Sequence, residues 1–258
     1  MNPFKQLHQG PDVLVLPNAW DAGSARIIEV AGAKAIATSS AAVAWANGYP
    51  DGEATPFDLV VATLKEIARV VALPITADVE AGYGDDPTAH VAKVVDAGAQ
   101  GINIEDGTGS PELLAAKIGK IKTRFGDAVW INARTDVYLH NLAQGEAAYD
   151  ETVKRARLYR EAGADSIFIP MAVEDALIGR FVKAIDAPLN VLAWSGLPPL
   201  KRLKELGVRR LSAGSGIAKT LMNQTYVLTQ EFLAEGRSEP LTGALAIPGG
   251  LNGNMRKG

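Results

Sequence analysis

A recurring segment, in which a small-residue helix end runs directly into a short apolar strand, constrains the fold of this chain most strongly. It occurs four times, as AGAKAIATSS, AGAQGINIED, AGADSIFIPM and LGVRRLSAGS. The glycines of the four copies stand at positions 32, 98, 163 and 207 and are therefore separated by 66, 65 and 44 residues. Because one βα unit commonly takes about 30 residues, each of the first two intervals holds two units, and the third holds two shorter ones.

Further apolar runs supply the missing strands. PITADVE, VWINARTD and PLNVLAW fill the intervals, and VLVLPNAWD precedes the first copy at residues 13–21. Eight such strands alternating with amphipathic segments are typical of a parallel sheet closed as a barrel. We therefore predict an α/β fold, a (β/α)8 TIM barrel that forms a single domain over residues 1–258. A long last helix and a Gly- and Pro-rich tail at 236–258 should complete the chain.

Signals for helix starts and ends support this alternation of strands and helices. Thr55, Asp86 and Ser110 each stand directly before a proline, the arrangement expected of a capping side chain followed by the first helical residue. Gly98 and Gly163 follow helical segments, where a left-handed glycine commonly ends a helix. Each of these positions is therefore predicted to begin or end a helix between two strands.

Composition narrows the class of partner. The net charge is −3 and there is no cysteine, so disulfides, thiolate metal sites and a cysteine nucleophile are excluded. Lys and Arg are scattered rather than clustered, which disfavours nucleic acid and anionic membranes as partners. No run approaches the roughly 20 apolar residues of a membrane span. We expect a cytoplasmic protein that binds a small molecule.

Two acidic clusters follow neighbouring strands. Asp78 and Glu80 lie in ADVEAGYGD, and Glu105 and Asp106 lie in GINIEDG. The carboxyl ends of parallel strands form the ligand site of a barrel, so these acids should converge there and repel one another unless a cation or protons intervene. Asp78, Glu80 and Glu105 therefore predict a site for a hard divalent ion, Mg²⁺.

Other strand ends add polar groups to this site. Thr38, Ser39 and Ser40 should supply hydroxyl and backbone N–H donors, and Asn190 a side-chain amide. Arg134 has the planar fork suited to a substrate carboxylate, although it could instead pair with Glu105 or Asp136. The loop after the second strand carries Tyr49 and Asp51, and His140 follows the fifth strand.

Taken together, the segments SSAAVAWANGYPDGEA, ADVEAGYGD, NIEDG and NARTD resemble the isocitrate lyase and phosphoenolpyruvate mutase superfamily. The resemblance extends over nearly the whole chain. It implies a barrel that is commonly tetrameric, with the last helix exchanged between subunits, so we expect a homo-oligomer, either a dimer or a tetramer. It also implies that Mg²⁺ and a 2-oxo acid or its enolate bind, and that a C–C or P–C bond next to the carbonyl breaks or forms.

The resemblance also implies individual roles. Asp78 matches the acid closest to the metal, Glu80 stands where many members have Asp, and Glu105 matches the acid that usually reaches Mg²⁺ through water. Asp51 matches an acid of the loop after the second strand. The remaining matches concern the substrate: Ser40 and Ala41 correspond to a Ser-Gly pair that holds the oxo-carboxylate end, and Arg134 to the arginine on that carboxylate.

One departure bears on the reaction. Isocitrate and methylisocitrate lyases carry a Lys-Lys-Cys-Gly-His gating loop after the acid that Glu105 matches. This chain instead runs NIEDGTGSPELL and reaches a predicted helix within a few residues. Thiol-dependent lyase chemistry is therefore not expected, and the longer loop of the phosphonomutases is missing as well.

The sequence predicts a Mg²⁺-dependent carbon–carbon lyase acting on a small 2-oxo or 2-hydroxy dicarboxylic acid through an enolate, as in decarboxylation of an oxaloacetate-like acid. Arg134, Tyr49 and Asp51 are its expected catalytic residues, with Tyr83 and His140 as further candidate bases. Two alternatives stay open. One is P–C chemistry of the phosphonopyruvate mutase or hydrolase type, and the other is a non-catalytic 2-oxo acid binding protein.

Overall fold

Nine short parallel strands form one sheet in the computed structural model, which describes residues 1–242 and 246–255. Each strand is buried between the barrel interior and the surrounding helices over most of its length. The strands are β1 (Leu14–Leu16), β2 (Asn18–Ala19), β3 (Ile36–Thr38), β4 (Ile75–Asp78), β5 (Gly101–Glu105), β6 (Trp130–Arg134), β7 (Ser166–Phe168), β8 (Leu189–Leu192) and β9 (Arg210–Ser212).

The barrel closes through the first predicted strand. This run is divided into β1 and β2 at Pro17, whose missing N–H interrupts the ladder. β1 pairs with β9, so that Leu14 faces Arg210, while β2 pairs with β3, so that Asn18 faces Ala37. The two short strands thus act as one, and the predicted eight-unit (β/α)8 barrel is confirmed.

Helices connect the strands. They are α1 (Pro3–Leu7), α2 (Ala22–Val30), α3 (Ser40–Ala46), α4 (Phe57–Val70), α5 (Thr88–Asp96), α6 (Pro111–Phe125), α7 (Gly145–Ala162), α8 (Asp175–Ala184), α9 (Leu200–Leu206), α10 (Gly216–Glu235), α11 (Glu239–Thr242) and α12 (Gly250–Asn254). The long last helix is confirmed as α10. The tail, in contrast, contains two short helices, and its residues 243–245 and 256–258 lie outside the described range.

The predicted helix boundaries are largely correct. Ser110 Oγ accepts the Leu113 N–H at 3.3 Å, and Asp86 Oδ1 accepts the Thr88 N–H at 3.0 Å. Thr55 is the exception, because its buried hydroxyl has no hydrogen-bond partner in the described chain and so caps no helix. Gly98 and Gly163 have φ angles of +113° and +112°, as the predicted helix ends require.

The amino-terminal helix α1, which the sequence pattern did not predict, covers the amino-terminal end of the barrel. Asn2 Nδ2 donates to the backbone oxygens of Gln100 and Ala128, which anchors the helix to the strand starts. Phe4 is fully buried, and the ring of His8 stacks on Trp130 with 4.6 Å between centroids. Ligand access is therefore left to the opposite, carboxyl-terminal end. Among the described helices, none has the length and apolar character needed to cross a membrane.

Candidate active site

Charged side chains meet where β4, β5 and β6 end. Asp78, Glu105 and Arg134 are the last residues of these three neighbouring strands. In the ladder register Asp78 lies beside Asn103, and Glu105 lies beside Arg134. The predicted convergence of the strand-end acids with Arg134 is therefore what the fold produces.

Asp78 is held by the backbone around it. Its Oδ2 accepts the Ser40 N–H at 3.1 Å, and its Oδ1 accepts the Glu80 N–H at 3.3 Å. Its own N–H donates to Thr38 Oγ1 at 2.8 Å. The carboxylate is thereby fixed between the end of β3 and the turn after β4, next to the amino terminus of α3.

Arg134 pairs with two acids, which is the arrangement that the sequence had left open. Its Nη1 lies 2.6 Å from Glu105 Oε2, while its Nε and Nη2 lie 2.6 and 2.9 Å from the two oxygens of Asp136. Burial alone would lower the pKa of Arg134, but Glu105 and Asp136 raise it overall. These bonds use three of its five N–H groups, so the fixed guanidinium retains N–H groups for a further anion.

The electrostatics of the cluster favour a bound cation. Burial raises the pKa of Asp78, of Glu80 and, most strongly, of Glu105, and repulsion among these carboxylates adds to the effect. Asp51 makes a smaller contribution to the raised pKa of Asp78 and Glu80, so this loop acid lies near the same site. A divalent ion would relieve the repulsion, and the oxygen-only donor set suits Mg²⁺.

The acids do not by themselves complete a coordination sphere. Over residues 1–242 and 246–255, no three His, Asp or Glu side chains are arranged as a ready metal-ligand group. Mg²⁺ binds through one or two carboxylates and keeps several waters, so Asp78 and Glu105 fit such an ion without forming a cage. Glu80, the third predicted ligand, is engaged elsewhere: Tyr83 Oη donates to its Oε1 at 2.6 Å, and the Glu53 N–H donates to its Oε2.

Asp106 belongs to the scaffold. Its Oδ1 accepts the Asp136 N–H at 2.8 Å, and its Oδ2 accepts from Arg155 at 2.9 Å and from Tyr159 Oη at 2.5 Å. Because Arg155 and Tyr159 lie on α7, this carboxylate fastens that helix to the ends of β5 and β6. It also holds Asp136, which in turn orients Arg134.

Asn190 is not brought to the rim with the other predicted substrate-binding residues. It is fully buried inside the barrel; its Oδ1 accepts from Asn132 at 3.0 Å and from Ser212 at 3.1 Å, while its Nδ2 donates to two backbone oxygens. The amide is therefore saturated, and two further residues separate it from the carboxyl end of β8. The prediction erred because position on a strand does not reveal depth in the barrel.

The same interior layer contains a charged residue that sequence reasoning missed. Arg210 is fully buried; its Nε donates to Ser212 Oγ at 3.2 Å, and one terminal nitrogen donates to Asn103 Oδ1 at 3.1 Å. Burial lowers its pKa to about 9, against an opposing effect of Asp78. An arginine within the predicted strand segment RRLSAGS was the signal available for a positive charge beneath the site.

The remaining predicted residues surround the opening. Ser39 is the residue before α3, and Ala41 lies in its first turn. Tyr49 is 36% exposed in the 47–56 loop, which joins α3 to α4. The His140 side chain is 42% exposed, and its Nε2 lies 3.7 Å from Asp136 Oδ2. Both can therefore be reached from solvent beside the acidic cluster.

A parallel (β/α)8 barrel with partly buried acids and a fixed arginine at its carboxyl-terminal end has charged groups where the enzymes of this fold build their active sites. The sequence model of the phosphoenolpyruvate phosphomutase family matches residues 4–233. The chain belongs to this family, and thus to the isocitrate lyase and phosphoenolpyruvate mutase superfamily of lyases and mutases, as its motifs predicted.

Relatives of this chain cover most of its length. An uncharacterized protein of Mycobacterium tuberculosis is 37% identical over 216 residues, which are 82% of this chain and 81% of that protein. A 2-methylisocitrate lyase of Aeropyrum pernix is 31% identical over 72% of this chain and 63% of its own length. These similarities support the family assignment without specifying a substrate.

Solved structures agree with the fold. A protein from Burkholderia cenocepacia, proposed to be a phosphonomutase, is 40% identical, with a TM-score of 0.83 over 88% of this chain and 97% of that chain. A phosphonopyruvate hydrolase in complex with oxalate and Mg²⁺ has a TM-score of 0.81 over 94% of this chain and 89% of its own, at 21% identity. At that identity the second likeness concerns the fold alone.

Proposed function

We propose that this protein is a Mg²⁺-dependent lyase that acts on a small 2-oxo or 2-hydroxy dicarboxylic acid through an enolate. The observation that carries the proposal is the placement of two partly buried acids, Asp78 and Glu105, beside Arg134 on three adjacent strand ends. Acids alone would indicate a metal. Acids next to a fixed guanidinium indicate a metal together with a carboxylate-bearing ligand.

The residues around the opening would have different roles in binding. Asp78 and Glu105 would hold the ion, which when bound supplies a Lewis acid for a developing enolate. Arg134, rigidly held by Asp136 and Glu105, would bind a substrate carboxylate with its remaining N–H groups. Ser39, Ser40 and Ala41 lie at the start of α3, where the serine hydroxyls and the Ala41 N–H can receive the oxo-carboxylate end, while the Ser40 N–H stays on Asp78.

Proton transfer would fall to the 47–56 loop or to His140. Tyr49 and Asp51 lie on that loop, and both can be reached by solvent. Tyr83 is a poorer base, because burial and its hydrogen bond to Glu80 raise its pKa. His140 has an acidic neighbour, Asp136, that could orient its ring. These groups rank as candidates for moving a proton at the substrate carbon.

Two other activities use the same pocket. P–C chemistry on a phosphonopyruvate-like acid is favoured by the likeness to the Burkholderia cenocepacia protein. A non-catalytic 2-oxo acid binder is favoured by the short connection from Glu105, the last residue of β5, to Pro111, the first of α6. That connection leaves little chain to shield an enolate from water.

Thermal unfolding with Mg²⁺ and oxalate, an enolate mimic, tests the ligand class. Saturating ligand should raise the Tm by about 5 °C or more, and Asp78→Asn should abolish the Mg²⁺-dependent part. The control Asp175→Asn removes an exposed acid paired with Arg202 and should retain the shift. A full shift in Asp78→Asn would refute the metal assignment.

Turnover of a panel of 2-oxo, 2-hydroxy and phosphono acids separates the three activities. Carbon–carbon cleavage should appear as a keto-acid or CO₂ product, and P–C cleavage as a new ³¹P signal. Stabilisation by Mg²⁺ and oxalate without any product from the panel would favour the binder over the lyase.

We also propose that the protein works as a homo-oligomer in which α10 is exchanged between subunits. A single described residue of this 20-residue helix, Ala218, is buried, whereas Leu221 is 51% exposed and Phe232 46% exposed. An apolar helix that packs so little on its own barrel needs another surface to cover it.

A further inference from the structure

Glu80 is the site residue whose contacts depart most from the role that the family resemblance implies. Its side chain is one methylene longer than that of an aspartate. Glu80 as a residue is 5% exposed, and each of its carboxylate oxygens accepts a hydrogen bond, from Tyr83 Oη at 2.6 Å and from the Glu53 N–H. Both oxygens of Glu80 are therefore bonded to the turn after β4 and to the 47–56 loop.

The three residues form a closed arrangement. The Tyr83 N–H donates to Glu53 Oε1 at 2.7 Å, so Glu53 both donates to Glu80 and accepts from Tyr83. Five non-glycine residues of the described chain have positive φ, and Glu53, Glu80 and Tyr83 are three of them, at +58°, +50° and +55°. Such conformations persist only where surrounding contacts impose them, and they cluster at functional sites.

The arrangement is backed by packing on the Tyr83 side. Its ring meets Phe57, the first residue of α4, edge to face with 4.7 Å between centroids, and Phe57 in turn packs on His90 at 4.4 Å. Tyr83 is therefore fixed, and Glu53 is the partner that can move, since it is exposed and lies at the outer part of the 47–56 loop. What Glu80 and Tyr83 restrain is this loop.

The loop matters because of what it carries. Asp51 and Tyr49 stand two and four residues before Glu53, and Asp51 is close enough to raise the pKa of Asp78. Glu53 makes the described hydrogen bonds from this loop to the turn after β4. These hydrogen bonds fix the loop two residues after Asp51.

We propose that Glu80, together with Tyr83, is a positioning residue that clasps the 47–56 loop through Glu53 and so places Asp51 at the site, and that Glu80 is not a metal ligand. The proposal rests on the function proposed above, because placing Asp51 has a purpose only if that site is used. The longer side chain of glutamate is what allows the carboxylate to reach the loop.

Hydrogen exchange of the metal-free protein tests the clasp independently of activity. The amides of Glu53 and Tyr83 should be protected, and Tyr83→Phe and Glu80→Asp should each speed exchange across residues 48–55 by about tenfold or more, as loss of a hydrogen bond to a charged acceptor predicts. The matched control Tyr226→Phe removes a hydroxyl from the exposed face of α10 and should leave exchange in the loop unchanged.

Calorimetric Mg²⁺ titration then distinguishes a clasp from a ligand. Glu80→Asp and Glu80→Gln should bind Mg²⁺ within about threefold of the wild type, whereas Asp78→Asn should lose binding. Wild-type exchange of the loop in Glu80→Asp, or loss of Mg²⁺ affinity in Glu80→Gln equal to that in Asp78→Asn, would overturn the proposal. If the wild type binds no Mg²⁺, the proposed function fails, and exchange alone still decides whether the clasp exists.

Discussion

Individual residues carry charge at two depths of the barrel. At the carboxyl-terminal end, Glu105 and Asp136 surround Arg134. Deeper inside, Arg210 has no carboxylate among its described hydrogen-bond partners, and its Nη1 has no partner within the described chain. Burying an unpaired charge is costly, and the lowered pKa of Arg210 expresses that cost. The positive charge thus remains available to the acids above it.

His8, at the closed amino-terminal end of the barrel, is also buried. Unlike arginine, histidine has an ordinary pKa near neutral pH. Its Nδ1 lies 2.7 Å from the Phe4 backbone oxygen, which the ring can reach only as a donor. Burial, aided by the charge of Arg210, lowers its pKa to about 4. The folded protein therefore requires a neutral imidazole throughout the usual pH range.

Acid should weaken the fold through this histidine. Between its unfolded pKa, about 6.5, and its folded pKa of about 4, the unfolded chain binds a proton that the folded chain does not, so stability falls as the pH falls. From pH 7 to pH 5 this amounts to about 2 kcal/mol. His8→Phe keeps an aromatic ring on Trp130 and removes the titrating group. The variant should therefore lose about 2 kcal/mol less of its free energy of unfolding between pH 7 and pH 5 than the wild type does.

Urea unfolding of both proteins at the two pH values measures the difference. The carboxylates of the active site titrate in both and cancel in the comparison. Equal losses of stability in the wild type and in His8→Phe would show that His8 does not control the acid response.

At the scale of elements, the same kind of turn, with a glycine at its start, recurs where helices lead into the next strand. Gly98 follows α5 with a φ of +113°, and a Cβ there would lie 2.9 Å from the Cβ of Ala68 on α4. Both the conformation and the close helix approach require glycine at this position. The AGA motif of the sequence is thus a consequence of helix packing as well as of backbone conformation.

Two glycine-to-alanine substitutions should change the free energy of unfolding in opposite directions. Gly98→Ala should lower the free energy of unfolding by about 3 kcal/mol, because it adds backbone strain and a clash. Gly119→Ala, inside α6 with open space at the Cβ position, should raise it by about 0.5–1 kcal/mol through helix propensity. Denaturant titration of both variants checks this; destabilisation of similar size at both sites would contradict the packing argument.

Features of the fold that depend on local sequence patterns, such as these turns, could be predicted from the sequence. Apolar runs, glycine helix ends and strand-end acids are local patterns, and each was correctly placed because a barrel puts every strand end at the same rim. Thr55, Asn190 and α1 were misjudged or missed because their roles depend on depth and on segments distant in sequence. The contacts of Glu80 with Glu53 likewise join loops 27 residues apart, which no local pattern reports.

At the scale of the whole molecule, one side of the barrel is left uncovered by residues 1–242 and 246–255. Val15, the middle residue of β1, is 46% exposed, although Leu14 and Leu16 beside it are buried. Next to it lies a groove of about 640 Å³, lined in part by Leu7, Ile28 and Ala33. An outward strand residue of a barrel is normally covered by a helix, and a helix with its own apolar face exposed is the fitting occupant.

The exposed face of α10 has the matching character. Ile217, Leu221, Leu228 and Phe232 recur at intervals of four, seven and four residues, so at about 100° per residue they share one side of the helix. Each is at least partly accessible in the described subunit. Reciprocal exchange of α10 would cover this face and the groove of the partner at once, and would close the assembly by symmetry.

Light scattering of chromatographed protein should therefore find a dimer or tetramer. The double variant Leu221→Asp with Phe232→Asp should elute as a folded monomer, because it places two charges on a face that needs an apolar surface. Val15→Asp, in the groove, should have the same effect from the receiving side. Lys219→Asp also changes charge on α10 but lies on the opposite side of the helix, so it should leave the oligomer intact. A wild-type monomer, or oligomers that survive both the α10 and the groove variants, would refute the exchange.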